Sequence, residues 1–214
     1  MKEEKHLAVF DIDGTIREIV DPWMMLHHYF NTSKEGGVIY KNWVEGVISY
    51  HEMCEQDALL WKGKSKEEML VPLQKNSIRS GSAALISYLK ENNFRCIGIS
   101  TGLSLFNDIT SEIVGLEKCF SNEILFEEGI CNGEVKVKIE EFQKHKVLKQ
   151  FIEENNITGK VISFGDGKSD IDLFKNSDLS FAVHFKYDEV KEAATYQFEG
   201  NDFMEMQDLI KQYL

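Results

Sequence analysis

Apolar residues recur along the chain in two rhythms. Short apolar runs, Leu7 to Phe10, Phe94 to Ile99, Lys160 to Phe164 and Leu179 to Val183, are each closed by small or acidic residues. That is the pattern of strands buried on both faces. Between them, apolar positions fall three and four apart, which predicts helices over Ala83 to Asn92 (Leu85, Ile86 and Leu89 inward), Leu105 to Val114, Phe142 to Glu153, Ile171 to Phe174, Val190 to Ala194 and Phe203 to Leu214. Gly115 ends the second of these. Glu123 to Phe126 and Ile130 to Val137, joined through Glu128-Gly129, predict a hairpin, and Tyr196 to Phe198 a last short strand. The alternation predicts an α/β fold, a Rossmann-like, mostly parallel sheet with helices on both faces and right-handed crossovers.

One block breaks the alternation. Asp11 to Val20 is expected to leave the first strand as a loop or tight hairpin, and helical patterns rich in aromatic and methionine residues then run to Val71-Pro72. Asp21-Pro22 reads as a helix start, with Asp as cap and Pro in the first turn. Trp23, Leu26, His27 and Phe30 share one helical face, and Gly36-Gly37 is expected to break that helix. Tyr40, Trp43, Val44, Val47 and Ile48 mark a second helix, His51 to Trp61 a third, and Ser65-Lys66-Glu67-Glu68 opens a fourth with a capping box. The expectation is a small helical cap over residues 17–78, inserted after the first strand into an α/β core of residues 1–16 and 79–214. Its aromatic and methionine residues form first a small core, with Trp23 and Met53 as candidates to face a site.

The chemistry gathers where strands end. The first strand stops at Asp11-Ile12-Asp13-Gly14-Thr15. Residues i and i+2 of an extended chain project to one side, so Asp11 and Asp13 are expected to enter one cleft. Burying two like charges costs several kcal/mol unless a cation offsets it, and a hard divalent ion such as Mg²⁺ takes oxygen ligands. A second strand runs into Ser100-Thr101-Gly102, and another into Gly165-Asp166-Gly167-Lys168-Ser169-Asp170, with a lysine-bearing helix, Gln143 to Glu153, between them. In open α/β sheets ligands sit outside the carboxyl ends of the strands, so three polar strand ends point to one crevice. His27, His28, His51, His145 and His184 form no ligand pattern, and Asp172 reads as surface.

The set Asp11-x-Asp13-Gly14-Thr15, Ser100, Lys144 and Gly165-Asp166-x-x-x-Asp170 resembles the haloacid dehalogenase superfamily, in its phosphoserine phosphatase-like branch. The four motifs occur in order across most of the chain. The resemblance implies a Mg²⁺-dependent phosphatase acting on a small phosphorylated metabolite through an aspartyl-phosphate. It makes Asp11 the nucleophile and Asp13 the acid–base, the latter giving the metal its backbone carbonyl. An aspartate at this second position points to phosphatase rather than dehalogenase chemistry, because a leaving alkoxide needs a proton and a halide does not. Ser100 would donate to a phosphoryl oxygen, and the N–H groups of Thr101 and Gly102, at the start of the next helix, would face the anion. Asp166 becomes the second carboxylate ligand of Mg²⁺, and Asp170 orients a metal-bound water or the lysine. Lys144 and Lys146 compete for the phosphate. Lys144 is favoured because Val147 and Leu148 then take the apolar pair of the family pattern. Gly14 and Thr15 shape the loop or take a direct part. Ser169 stands where the family often has asparagine.

Two departures bear on substrate. The branch places a glutamate at the entry to the cap for the substrate's amino group. The matching position here is Val20, flanked by Glu18 and Asp21. The branch also has a cap arginine for the carboxylate, and the comparable stretch, Leu59-Leu60-Trp61-Lys62-Gly63-Lys64, has none. Lysine keeps the charge but not the bidentate fork, so phosphoserine is not expected to be the preferred substrate. Phosphoryl transfer to another acceptor and a non-catalytic phosphate- or metal-binding module stay open as alternatives.

With 214 residues the chain is long enough for one core and a sizeable insertion. A net charge of −12 argues against a general nucleic-acid or anionic-membrane surface, so phosphate would need local positive charge from a metal and a lysine. No stretch has the length and apolarity of a bilayer span, and Met1-Lys2-Glu3-Glu4-Lys5 lacks a signal peptide's apolar region. Cys54, Cys96, Cys119 and Cys131 show no metal-type spacing. They read as reduced thiols of a cytoplasmic protein.

Overall fold

The computed structural model describes residues 4–19 and 21–213. Among them, seven strands form one sheet: β1 (His6–Phe10), β2 (Phe94–Leu103), β3 (Lys118–Glu127), β4 (Ile130–Lys136), β5 (Val161–Gly165), β6 (Leu179–Val183) and β7 (Tyr196–Phe198), in the order β4-β3-β2-β1-β5-β6-β7. Neighbours are parallel except β3 and β4. The order reverses at β1, which lies between β2 and β5. A crevice therefore opens at the carboxyl end of β1, where ligands of such sheets bind.

Residue alternation explains how both faces are covered. Leu7 and Val9 pack with Leu148, Phe151 and Leu173 on one face, from α7 (Lys144–Asn155) and α8 (Ile171–Lys175). Ala8 and Phe10 pack on the other with Leu85, Ile86, Leu89 and Ile210, from α5 (Ser82–Glu91) and α10 (Gln207–Tyr213). On that second face Phe10, Phe164 and Phe181 stack at 4.4 and 5.1 Å between centroids, which ties β1 to β5 and β6.

Between β1 and α5 come α1 (Pro22–Tyr29), α2 (Ser33–Val44), α3 (Tyr50–Leu60) and α4 (Lys66–Leu70). Asp21 caps α1 through Met24 N at 3.0 Å, with Pro22 in its first turn. The capping box of Ser65 and Glu68 opens α4, and a second one, Ser49 and Glu52, opens α3. The chain enters and leaves this block side by side: Glu18 N meets Ser77 O at 3.1 Å and Arg79 N meets Ile16 O at 2.8 Å. The helices share a core with the β3–β4 hairpin, since Trp23, Leu26, Trp61 and Met69 pack with Ile124 and Cys131. Backbone bonds from Gly63 N to Cys131 O and from Cys131 N to Lys64 O, both 2.8 Å, add to that join.

The structure corrects several boundaries. Gly36-Gly37 does not break a helix; both lie inside α2, and the turn falls at Asn31, whose φ is 57°. Gly36 is there for packing: a Cβ on it would sit 2.6 Å from the His27 ring. β2 runs on to Leu103, so Ser100, Thr101 and Gly102 belong to the strand rather than to a helix start, and α6 spans Ser104–Val114. α7 begins at Lys144, because Phe142 takes a left-handed φ of 61°. β3 begins at Lys118, where a polar edge hid a strand that pairs with β2. The hairpin turn is where the sequence predicts it, with Glu128 and Gly129 at φ 49° and 81°. The last helix splits into a tight 3₁₀ turn, Phe203–Met206, and α10, while the short helix expected over Val190 to Ala194 is α9, Asp188–Ala193.

Candidate active site

Four buried carboxylates and one buried lysine meet at the carboxyl ends of β1, β2 and β5. Asp11, Asp13, Asp166 and Asp170 are at most 6% exposed and Lys144 is 1% exposed. Lys144 projects from the first turn of α7, and its Nζ lies 2.7 Å from Asp11 Oδ1 and 2.7 Å from Asp170 Oδ1. Asp170 is fixed in turn, its Oδ2 accepting from Asp166 N (3.1 Å) and Gly167 N (3.0 Å). Gly165 makes room for it, since a Cβ there would fall 2.3 Å from Asp170 Cγ. Lys146 points elsewhere: it is exposed and donates to Gln143 Oε1 at 2.7 Å.

Asp13 has a different partner. Ser100 Oγ donates to Asp13 Oδ2 at 3.0 Å and accepts from Gly102 N at 2.9 Å. The Gly102 N–H, expected to face an anion, is thereby used within the chain. A Cβ at Gly102 would lie 2.2 Å from Asp13 Oδ2, so only glycine leaves that carboxylate its place. Thr101 serves as an anchor: its carbonyl accepts from Trp23 Nε1 (3.2 Å) and Asn122 Nδ2 (3.0 Å). That ties α1 and β3 to the end of β2.

Gly14 and Thr15 both act on Asp166. Thr15 Oγ1 donates to Asp166 Oδ1 at 3.1 Å. Gly14 has φ 89°, and a Cβ on it would fall 2.2 Å from Asp166 Oδ2. Gly14→Ala is therefore expected to lose about 2–4 kcal/mol, from left-handed strain plus overpacking. Urea unfolding of the two proteins measures it; an unchanged midpoint would show that the loop yields.

The electrostatics of the cluster are unbalanced. Burial, reinforced by Asp170, pushes Asp11 well above the usual carboxylate range. Burial also lifts Asp13 to about 6, against the hydrogen bond from Ser100. Burial and then Asp170 lift Asp166 to about 7. Burial pulls Lys144 down, but Asp11 and Asp170 override it and raise it. One lysine does not offset four acids. Oxygens of Asp11, Asp166 and Asp170 lie within 4.8 Å of one another. All three offer the hard donors that Mg²⁺ takes, so the residues fit that ion. The Asp13 carboxylate is outside this group and turned onto Ser100.

These residues open into a cavity of about 290 Å³, at the small end for ligand sites. Asp11, Asp13, Ser100 and Asp166 form its floor, and α1, α2 and α3 supply much of its wall. Trp23 and Met53 line it, as the sequence suggested. His27, set aside in the sequence as part of no ligand pattern, lines it too, as do Asp57, Glu141, Phe142 and Tyr187, which no spacing along the chain joins. Asp21 lines the wall and Ser169 is also at its edge. Val20 lies outside the described residues, and Glu18 is exposed away from the lining. Among the described residues the lining has no arginine, and Lys62 and Lys64 are not part of it. Lys64 sits over the Phe30 ring at 5.1 Å. Asp172, read as surface, is half-buried and 3.1 Å from His145 Nδ1.

Residues 24–204 match the family described as haloacid dehalogenase-like hydrolase. A phosphoserine phosphatase of Archaeoglobus fulgidus is 28% identical over 193 residues, 86% of this chain and 54% of that protein. This chain thus spans about half the length of that relative. One of Methanocaldococcus jannaschii is 25% identical over 99% of this chain and 100% of its own. In fold, the chain is similar to a solved phosphoserine phosphatase described as a phospho-aspartyl intermediate analogue, with a TM-score of 0.80, 24% identity and coverage of 97% and 99%.

Proposed function

Because the chain belongs to the haloacid dehalogenase-like hydrolases and is a phosphatase of phosphoserine phosphatase-like kind, we propose that it hydrolyses a small phosphomonoester through an aspartyl-phosphate on Asp11, with Mg²⁺. One observation carries this reading: two aspartates a residue apart have been given opposite partners, Lys144 for Asp11 and Ser100 for Asp13. Lys144 works against the burial that lifts Asp11, and a bound Mg²⁺ would complete the ionisation of this nucleophile. A neutral hydroxyl leaves the second, already lifted by burial, free to carry a proton.

The chemistry then follows in two displacements. An Asp11 oxygen attacks phosphorus and the bond to the ester oxygen breaks, while Asp13 gives its proton to that oxygen. Asp13 next takes a proton from water as the water oxygen attacks the phosphoryl group, and the bond to Asp11 breaks to release phosphate. The Ser100 hydroxyl turns from Asp13 to a phosphoryl oxygen, and Lys144 offsets charge on both the nucleophile and the transferring group. Asp11 and Asp166 would hold Mg²⁺, and Asp170 would steady Lys144 and the loop at Asp166. The ion supplies positive charge against the phosphoryl oxygens and the carboxylates around it. We take residues 17–78 as a cap that keeps bulk water out during transfer.

Phosphate release from 4-nitrophenyl phosphate tests this reading. EDTA is expected to abolish release and Mg²⁺ to restore it, with Ca²⁺ supporting poor turnover because its coordination is looser. Full activity in metal-free buffer, or transfer only when an alcohol acceptor is added, would point to a different reaction. In keeping with a wall that has no arginine among the described residues, phosphoserine is not expected to be the substrate turned over best. No helix among the described residues is long and apolar enough to cross a membrane.

A further inference from the structure

We infer that the wall of the cavity facing the catalytic floor is a site for an ammonium group, so that the substrates are phosphomonoesters of amino alcohols bearing no carboxylate. This rests on the phosphatase reading of Asp11 and Asp13. Three observations carry it.

The first is aromatic. Tyr40, Trp43 and Tyr50 line the cavity as one connected row, with ring centroids 5.5 Å and 5.8 Å apart in edge-to-face contacts. Trp23 continues the wall. The polar tips of Trp23 and Tyr50 are both committed to the Thr101 carbonyl, at 3.2 and 3.4 Å. What these two residues leave for a ligand is ring surface, whose negative π-face attracts a cation.

The second is acidic. Asp57 is 5% exposed and lines the same wall, and its Oδ1 is buried. His27 Nε2 lies 3.0 Å from it, close enough to pair with it when the imidazole is protonated. The histidine is held from behind by Thr32 Oγ1 at 2.8 Å and by the Trp61 ring at 4.8 Å. Asp21 and Glu141 also line the cavity. Even with His27 protonated and paired to Asp57, two acids remain.

The third is the lack of a free cation. Among the described lining residues, Lys168 is bound by Glu189 at 2.8 Å and rests over the Tyr187 ring at 4.7 Å. Lys144 is held on the catalytic floor. A substrate carboxylate would face Asp21 and Glu141 with Lys168 already engaged by Glu189 and His27 beside Asp57, whereas an ammonium meets acids and π-faces together.

The test is kcat/KM, with Mg²⁺, for choline phosphate, ethanolamine phosphate, phosphoserine, 4-nitrophenyl phosphate and 3,3-dimethylbutyl phosphate, the uncharged isostere of choline phosphate. The better ammonium ester is expected to exceed both phosphoserine and the isostere by at least about tenfold. Asp57→Asn, and separately Trp43→Leu should the first fold poorly, are expected to cut the ratio of choline phosphate to isostere by about threefold or more. Turnover of 4-nitrophenyl phosphate with a ratio near one, or with phosphoserine in the lead, overturns the ammonium site and leaves the phosphatase reading standing. Folded protein that releases phosphate from none of the five overturns both.

Discussion

Asp11→Asn is expected to lower kcat/KM for any phosphomonoester by at least about 10³, the scale on which one essential catalytic group is lost. The amide keeps the shape of the side chain and leaves an oxygen to accept from Lys144 Nζ, now 2.7 Å from the carboxylate. It removes the charge that attacks phosphorus and one of the three close carboxylates. Two readouts should therefore change together. Turnover falls, and the rise in Tm on adding Mg²⁺ shrinks, since an ion stabilises a protein only by its affinity for the folded form. Folding itself should survive, because Asp11 N still joins Phe164 O at 2.8 Å and the amide does not disturb that bond. Near wild-type turnover, with deamidation of the asparagine excluded by mass, would refute the assignment of the nucleophile.

The legible part of this protein is the part that the backbone arranges. Strands of four to six apolar residues announce themselves by composition, and the residue that follows each one must lie at the sheet's edge. Hence Asp11, Ser100 and Asp166 were all visible in the sequence as strand-end residues, and the structure brings them to one cavity. The difference there is local. Ser100 to Gly102 looked like a turn into a helix, yet pairing with β3 carries β2 through to Leu103. The sequence could not show this because Lys118 to Asn122 lacks the apolar run of a strand; its partner strand, not its composition, defines it. As a result Gly102 N–H bonds Ser100 rather than standing free.

The cavity wall was the less legible part, for a different reason. Trp23, Tyr40, Trp43 and Tyr50 come from α1, α2 and α3, and nothing in their spacing says which of them turn toward β1. Helical periodicity marks an apolar face, and here that face serves both a core with the β3–β4 hairpin and a cavity. Gly36 misled in the same way. A glycine pair in a helical stretch reads as a break, but its neighbour, the His27 ring, lies nine positions back in the chain and is brought alongside only by the packing of α1 on α2. Long-range packing also separates the two lysines of α7, burying Lys144 and leaving Lys146 exposed.

Lys144→Ala is expected to remove activity by about 10²–10³ and to weaken the fold, while Lys146→Ala leaves both near wild type. The two differ by half a turn of one helix. Lys144 is 1% exposed and bridges Asp11 and Asp170; Lys146 is exposed and reaches only Gln143. Removing one partner from a buried ionic cluster costs about 3–5 kcal/mol. The loss here is moderated to the extent that Asp11 takes up a proton or a metal ion occupies the acids, so Mg²⁺ should restore more stability to Lys144→Ala than to wild type. Lys144→Arg separates charge from shape. It keeps the cation but brings a longer, planar head into a space filled by two 2.7 Å contacts, and is expected to recover stability better than turnover. Circular dichroism confirms the folded fraction before rates are compared. If Lys146→Ala proves the more damaging change, the phosphate-side lysine has been placed on the wrong turn of α7, and the charge that balances Asp11 during transfer must come from elsewhere.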